Sequence, residues 1–103
     1  MRVVIDASID PRLVEAFPGH HVQTLFDLGW AHLKDHVLVK QLDCDVLITA
    51  DRGFEHEHNL NMLPFGIVIV HVLRNKIVFY RPLFPRLVEA VLTIQAGEVV
   101  HVG

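Results

Sequence analysis

Three aspartates in this chain stand where a fold can gather charge. Asp6 ends the apolar run Val3-Val4-Ile5, and Asp51 lies two residues beyond Asp45-Val46-Leu47-Ile48-Thr49. Asp35 precedes Val37, Leu38, Gln41 and Leu42, whose spacing fits one face of a helix. If the two apolar runs are parallel strands, Asp6 and Asp51 project from their carboxyl ends, where open parallel sheets bind ligands. Asp35 joins them if its helix starts near the end of a neighbouring strand. Converging carboxylates repel one another, and such clusters chiefly serve to hold a divalent cation such as Mg2+ or Mn2+, which prefers hard oxygen ligands. Each residue also has an ordinary reading: Asp35 as a helix N-cap, Asp6 as a turn residue, Asp51 as the head of an Asx-turn.

The histidines form a second group. There are eight, and His56-Glu57-His58 invites a transition-metal site with Asp51 as a further ligand. Residues two apart point to different sides of a helix but can share an ion on a strand or turn. Exposed histidines in a polar turn are the plainer account. His20 and His21 are adjacent and read as structural or surface residues. His71, inside an apolar run, reads as a core histidine bonded to a neighbour. Cys44 lies between Asp43 and Asp45, whose charges oppose a thiolate, so it is no nucleophile.

The elements that must position these residues follow from periodicity. Val3 to Ile5 suits a buried strand. Asp10-Pro11 opens a helix with an apolar side at Leu13, Val14 and Phe17, and Pro18-Gly19 ends it. His20 to Leu25 is the second strand, Asp27 to Lys34 a loop, and Asp35 opens the second helix. Asp45 to Thr49 is the third strand, and Arg52 to Asn59 a short helix or turn. Gly66 to Leu73 is the fourth strand, rich in β-branched residues and therefore central. Leu83, Leu87, Val91 and Ile94 mark a helix with Gly97 past its end, and Val99 to Val102 is the fifth strand. This alternation predicts an α/β fold, with a five-stranded, mostly parallel sheet covered by helices on both faces in three α/β/α layers.

The 103 residues make one domain, with 51% hydrophobic and 20% charged residues, enough for one real core and too apolar for disorder. No apolar run approaches a membrane span, and the first residues make too short a stretch for a signal peptide; a cytoplasmic protein is expected. One cysteine excludes an internal disulfide and any multi-cysteine metal site. The net charge of −3 conceals an asymmetry. Arg74, Lys76, Arg81 and Arg86 lie in a stretch without acids, whereas most acids lie in the first 57 residues. Phe79, Tyr80 and Phe84 alternate with Arg81 and Arg86, a mixture used by single-stranded RNA surfaces and by protein interfaces. Dimerisation would extend the buried area of so small a domain.

Taken in order, these segments resemble the PIN-like domains. Val3-Val4-Ile5-Asp6-Ala7-Ser8 looks like their opening strand, Asp and Ser. Leu47-Ile48-Thr49-Ala50-Asp51-Arg52-Gly53-Phe54 resembles their strand, Thr-x-Asp and x-x-Phe segment. Gly19-His20-His21-Val22, Gly29-Trp30, Asp35, Asn59-Leu60 and Ala96-Gly97-Glu98-Val99-Val100 extend the likeness to the compact bacterial forms, and over essentially the whole chain. The resemblance implies a metal-dependent endoribonuclease like the VapC-type toxins, acting on RNA and paired with an antitoxin protein. It implies Asp6, Asp35 and Asp51 as the acidic triad holding Mg2+ or Mn2+, with Glu55 or Glu57 as a fourth acid. Ser8 and Thr49 would orient a metal-bound carboxylate, and Arg52, Arg74, Lys76 and Arg81 would contact RNA phosphates. The chain departs from the pattern at Asp6-Ala7, where compact relatives usually show Asp-Glu, and at Glu57-His58, where they often show Gln-Gln.

Two other readings compete. A PIN-like domain with weakened catalysis would act by binding protein or RNA, which the missing Glu after Asp6 favours. A phosphoacceptor receiver domain also pairs strand-end acids. It requires adjacent acids after the first strand and a Lys after the fifth, where this chain has Asp6-Ala7 and His101-Val102-Gly103.

Overall fold

A computed structural model describes residues 1–57 and 59–103; His58 and the Glu57 side chain lie outside the described residues. The five apolar runs become strands β1 (Arg2–Ile5), β2 (His21–Thr24), β3 (Val46–Thr49), β4 (Gly66–Val70) and β5 (Val99–Val102). They form one sheet in the order β2-β1-β3-β4-β5. Every neighbouring pair is parallel, as alternation with helical segments requires. The order reverses direction between β1 and β3, which is the topological switch point of a doubly wound sheet.

Side chains alternate across each strand, so the sheet carries a core on both faces. Val3, Ile5, Val46, Ile48, Val68 and Val70 pack on one face against Leu13, Phe17, Tyr80, Leu87 and Val91. Val4, Leu47, Ile67 and Ile69 pack on the other against Leu25, Leu38, Phe54 and Phe65. β3 and β4 are buried along their whole length, which explains their continuous apolar sequences.

The helices are shorter than the periodicity suggests. The first is a 3-10 segment, Pro11–Ala16, with Asp10 as its N-cap and Pro11 in its first turn. The second strand stops at Thr24 instead of Leu25. The chain then turns into α1 (Leu25–Leu28), part of which the sequence reading treats as loop. The cause is local: Thr24 Oγ1 accepts from Asp27 N and Asp27 Oδ2 accepts from Thr24 N, both at 3.0 Å, a reciprocal cap that starts a helix. Gly29, at φ 73°, ends it in the left-handed region. α2 spans Asp35–Gln41, with Lys34 at the cap position, so Asp35 sits in the first turn and is not the N-cap. α3 is Phe54–Glu57.

The fourth strand ends at Val70, three residues before Leu73, because its pairing with β5 runs out at Val70 opposite Val102. A helical turn absent from the sequence reading, α4 (Ile77–Tyr80), follows. It buries Ile77 and Tyr80 and leaves Val78 exposed. Tyr80 is therefore a core residue and not part of an RNA or protein surface. α5 (Phe84–Thr93) follows the expected spacing, burying Leu87, Ala90 and Val91.

Candidate functional site

The C-terminal edge of the sheet collects the residues singled out by type. Asp6 leaves β1, and its own N–H donates to Ile48 O of β3 at 2.8 Å, so the chain stays beside β3 as it exits the sheet. Asp6 Oδ2 accepts from Ser8 Oγ at 2.6 Å, from Ser8 N at 3.3 Å and from Thr49 Oγ1 at 3.0 Å. Thr49 is wholly buried at the end of β3, and its Oγ1 also accepts from Asp51 N at 3.1 Å. Ser8 Oγ accepts from Ala50 N at 3.1 Å. The loops leaving β1 and β3 are thus stitched together across the switch point by two hydroxyls.

Asp51 is exposed. Its Oδ1 accepts from Gly53 N at 2.9 Å, the Asx-turn that its sequence context allows. Each of the two carboxylates has one oxygen held by protein donors. Among the described residues the other oxygen, Asp6 Oδ1 and Asp51 Oδ2, makes no hydrogen bond. Asp35 is half-buried at the start of α2, the helix that carries the chain back toward the start of β3. Among the described residues, no three His, Cys, Asp or Glu side chains stand as an ion-holding group. On donor chemistry, two oriented carboxylates with an unused oxygen each fit a hard dication such as Mg2+ or Mn2+.

The basic residues divide by place. Arg52, Arg74 and Lys76 are exposed in the segments that leave β3 and β4, on the same edge as Asp6 and Asp51. Arg81 stands 3.7 Å from Glu15 in an exposed ion pair. Trp30, half-buried, packs against the second core face.

The loops that frame the edge are held by Asp10. This carboxylate is 7% exposed. Oδ1 accepts from Arg12 N at 3.0 Å and Nε at 3.1 Å, and Oδ2 from Arg12 Nη2 at 2.8 Å and Ile77 N at 3.0 Å. The Arg12 guanidinium lowers its pKa to about 2, and the Arg12 and Ile77 amides help against the cost of burial. Asp10 N in turn donates to Asn75 Oδ1, which also accepts from Tyr80 Oη at 2.6 Å. The loop after β1 is thereby pinned to the loop after β4.

A group that sequence reasoning missed lies on the β4–β5 side. His71 is no core residue: it is half-buried just past the end of β4. Its Nε2 lies 2.7 Å from Nδ1 of His101 on β5, and His101 Nε2 lies 2.9 Å from Oε1 of Glu55 in α3. Glu55 therefore meets a histidine pair. The signal in the sequence was faint, a histidine at the end of each of two strands, and only their parallel register brings the rings together. His56 is exposed, while the remainder of the His56-Glu57-His58 motif, with Glu57 as a fourth acid, falls outside the described side chains. No family model, curated protein or solved structure matches this chain.

Proposed function

We propose that this protein is a PIN-like, metal-dependent endoribonuclease, the toxin member of a bacterial toxin–antitoxin pair. The observation that carries the reading is the pair Asp6 and Asp51 flanking the switch point between β1 and β3, joined through Ser8 and Thr49. Ligands of doubly wound sheets bind at that crevice. Asp6 and Asp51 would hold one or two Mg2+ or Mn2+ ions, with Asp35 completing the set directly or through water. When bound, such an ion polarises a phosphoryl oxygen and lowers the pKa of an attacking water.

The chain's own residues would do the rest. Ser8 and Thr49 fix the rotamer of Asp6 by donating to Oδ2, which leaves Oδ1 to face an ion. Arg52, Arg74 and Lys76 on the same edge would hold the phosphates of a single-stranded RNA. The antitoxin and a second copy of the chain are the expected protein partners.

The purified protein should cleave single-stranded RNA in Mn2+ or Mg2+ and lose that activity to a chelator. Asp6→Asn and Asp51→Asn should each slow cleavage by orders of magnitude. Mn2+ should also raise the melting temperature of the parent, by mass action on the folded state, and raise that of Asp51→Asn far less. Equal metal shifts in parent and variant would remove Asp51 from the ligand set. Cleavage that resists chelation and survives both substitutions would end the metal-dependent reading. Absence of cleavage with an intact metal response would favour the weakened, binding form of the domain.

A further inference from the structure

Glu55 of α3, His101 of β5 and His71, just past the end of β4, meet in a chain of two contacts. Glu55 Oε1 faces His101 Nε2 at 2.9 Å, and His101 Nδ1 faces His71 Nε2 at 2.7 Å. The two rings are tilted at 38° with centroids 5.0 Å apart. An ionised carboxylate only accepts hydrogen bonds. An imidazole lone pair at 2.9 Å from it would be repelled, so Nε2 of neutral His101 carries the hydrogen. Its Nδ1 is then the acceptor, and Nε2 of neutral His71 must be the donor. That leaves the lone pair of the whole array on His71 Nδ1, which makes no hydrogen bond among the described residues. The carboxylate at one end thus dictates both tautomers and the location of the basic atom at the other end.

We propose that Glu55, His101 and His71 form a directional proton relay whose terminal atom, His71 Nδ1, is the base that deprotonates the attacking water at this sheet edge. The substrate in this proposal rests on the phosphodiesterase reading above; the relay itself does not. Neighbouring strands are about 4.8 Å apart, and β4 lies next to β3, so His71 leaves the sheet one strand away from the segment bearing Asp51. Arg52, directly after Asp51, is close enough to act on His71 electrostatically. Burial, then Arg52 and His101, hold the His71 pKa below the ordinary 6.5, and Glu55 opposes them. Arg86 and Glu89 of α5 border the groove that also reaches His101. Near neutral pH, His71 is therefore neutral and able to accept.

In the step itself, the water oxygen bonds to phosphorus and one of its protons passes to His71 Nδ1. The P–O ester bond breaks with its electron pair on the leaving oxygen, which takes a proton from solvent. The new imidazolium can pass its Nε2 proton to His101 Nδ1, moving the positive charge toward Glu55. The proton returns to solvent on turnover. His71 would be the catalytic residue, and His101 and Glu55 positioning residues that act through it.

Two measurements decide it. Imidazole 15N NMR on the full chain, assigned with His71→Ala and His101→Ala, should show both neutral rings protonated at Nε2. Glu55→Gln should lower the titration midpoint of His71, which Glu55 raises. A neutral His71 protonated at Nδ1, or a His71 midpoint indifferent to Glu55→Gln, overturns the relay. In RNA cleavage with Mn2+, the rate should rise with pH through the His71 midpoint and then level. His71→Ala should cut the plateau by ~100-fold or more, keep the Mn2+ melting shift, and be partly rescued by added imidazole. Glu55→Gln should move the rising limb to lower pH and reduce the plateau several-fold. A His71→Ala enzyme with the parent's rate and pH profile overturns the catalytic role. A parent that cleaves no RNA but shows the NMR pattern refutes the hydrolase reading, and the base role with it, while leaving the relay standing.

Discussion

Replacing Asp10 by Asn removes one charge and one acceptor from the joint between the loops after β1 and β4. The carboxylate accepts four hydrogen bonds, two on each oxygen. An amide has one oxygen. If that oxygen stays with Arg12 N as helix cap, the amide nitrogen faces Ile77 N–H, a buried donor left unpaired, which costs about 1–3 kcal/mol. The ion pair with Arg12 adds little, because the arginine is 63% exposed. Together the change should cost about 2–3 kcal/mol near pH 6, lowering the melting temperature by ~10 °C for a domain of this length.

The pH dependence gives an independent check on Asp10. Its pKa falls from an ordinary 3.8 to about 2 on folding, so the folded state favours the charged form. The stability this supplies is complete above pH 4 and is lost as the pH falls toward 2. A fall of that size is worth at most about 2.5 kcal/mol, and solvent around Arg12 reduces it to ~1 kcal/mol. Urea denaturation of parent and Asp10→Asn at pH 6 and again near pH 2.5 should show the gap narrowing by that amount. A gap below about 0.5 kcal/mol at pH 6, or one that does not change with acid, would refute the assigned joint; the threshold is the usual scatter of surface substitutions.

Three further outcomes follow from the packing and hydrogen bonds. Thr49→Val keeps the shape but removes the hydroxyl that serves Asp6 and Asp51 N; it should cost about 1–2 kcal/mol in chemical denaturation and weaken the Mn2+ melting shift. Gly66→Ala puts a methyl 2.7 Å from Ile94 Cγ1 and 3.0 Å from Gln95 O at the start of β4, so it should destabilise by about 1–3 kcal/mol, and an unchanged denaturation midpoint would contradict the contact. Cys44 has its thiol pushed up to about 12 by burial, with Asp45 adding to the effect; a thiol reagent at pH 8 should label it only as fast as the protein unfolds, and rapid labelling of the folded protein would contradict that burial.

Local physics was legible from the residues alone. Continuous β-branched runs such as Ile67 to Val70 can only be buried strands, and Asp10-Pro11 carries both its cap and its helix start. Alternation of such runs with helical segments dictated a parallel sheet, and with it the edge to which Asp6 and Asp51 belong. What the residues could not settle depends on partners distant in the chain. The run through Val72 and Leu73 looks like strand, yet a strand ends where its neighbour ends, and β5 pairs only as far as Val70. Phe79, Tyr80 and Arg81 look like a mixed surface until α4 sets Ile77 and Tyr80 three residues apart on one buried side. The order β2-β1-β3-β4-β5 places Asp6 beside Thr49 across 43 positions and His71 beside His101 across 30. Side-chain spacing along a chain encodes which face a residue takes; it carries nothing about which strand becomes its neighbour, because that choice is made by the packing of the whole sheet.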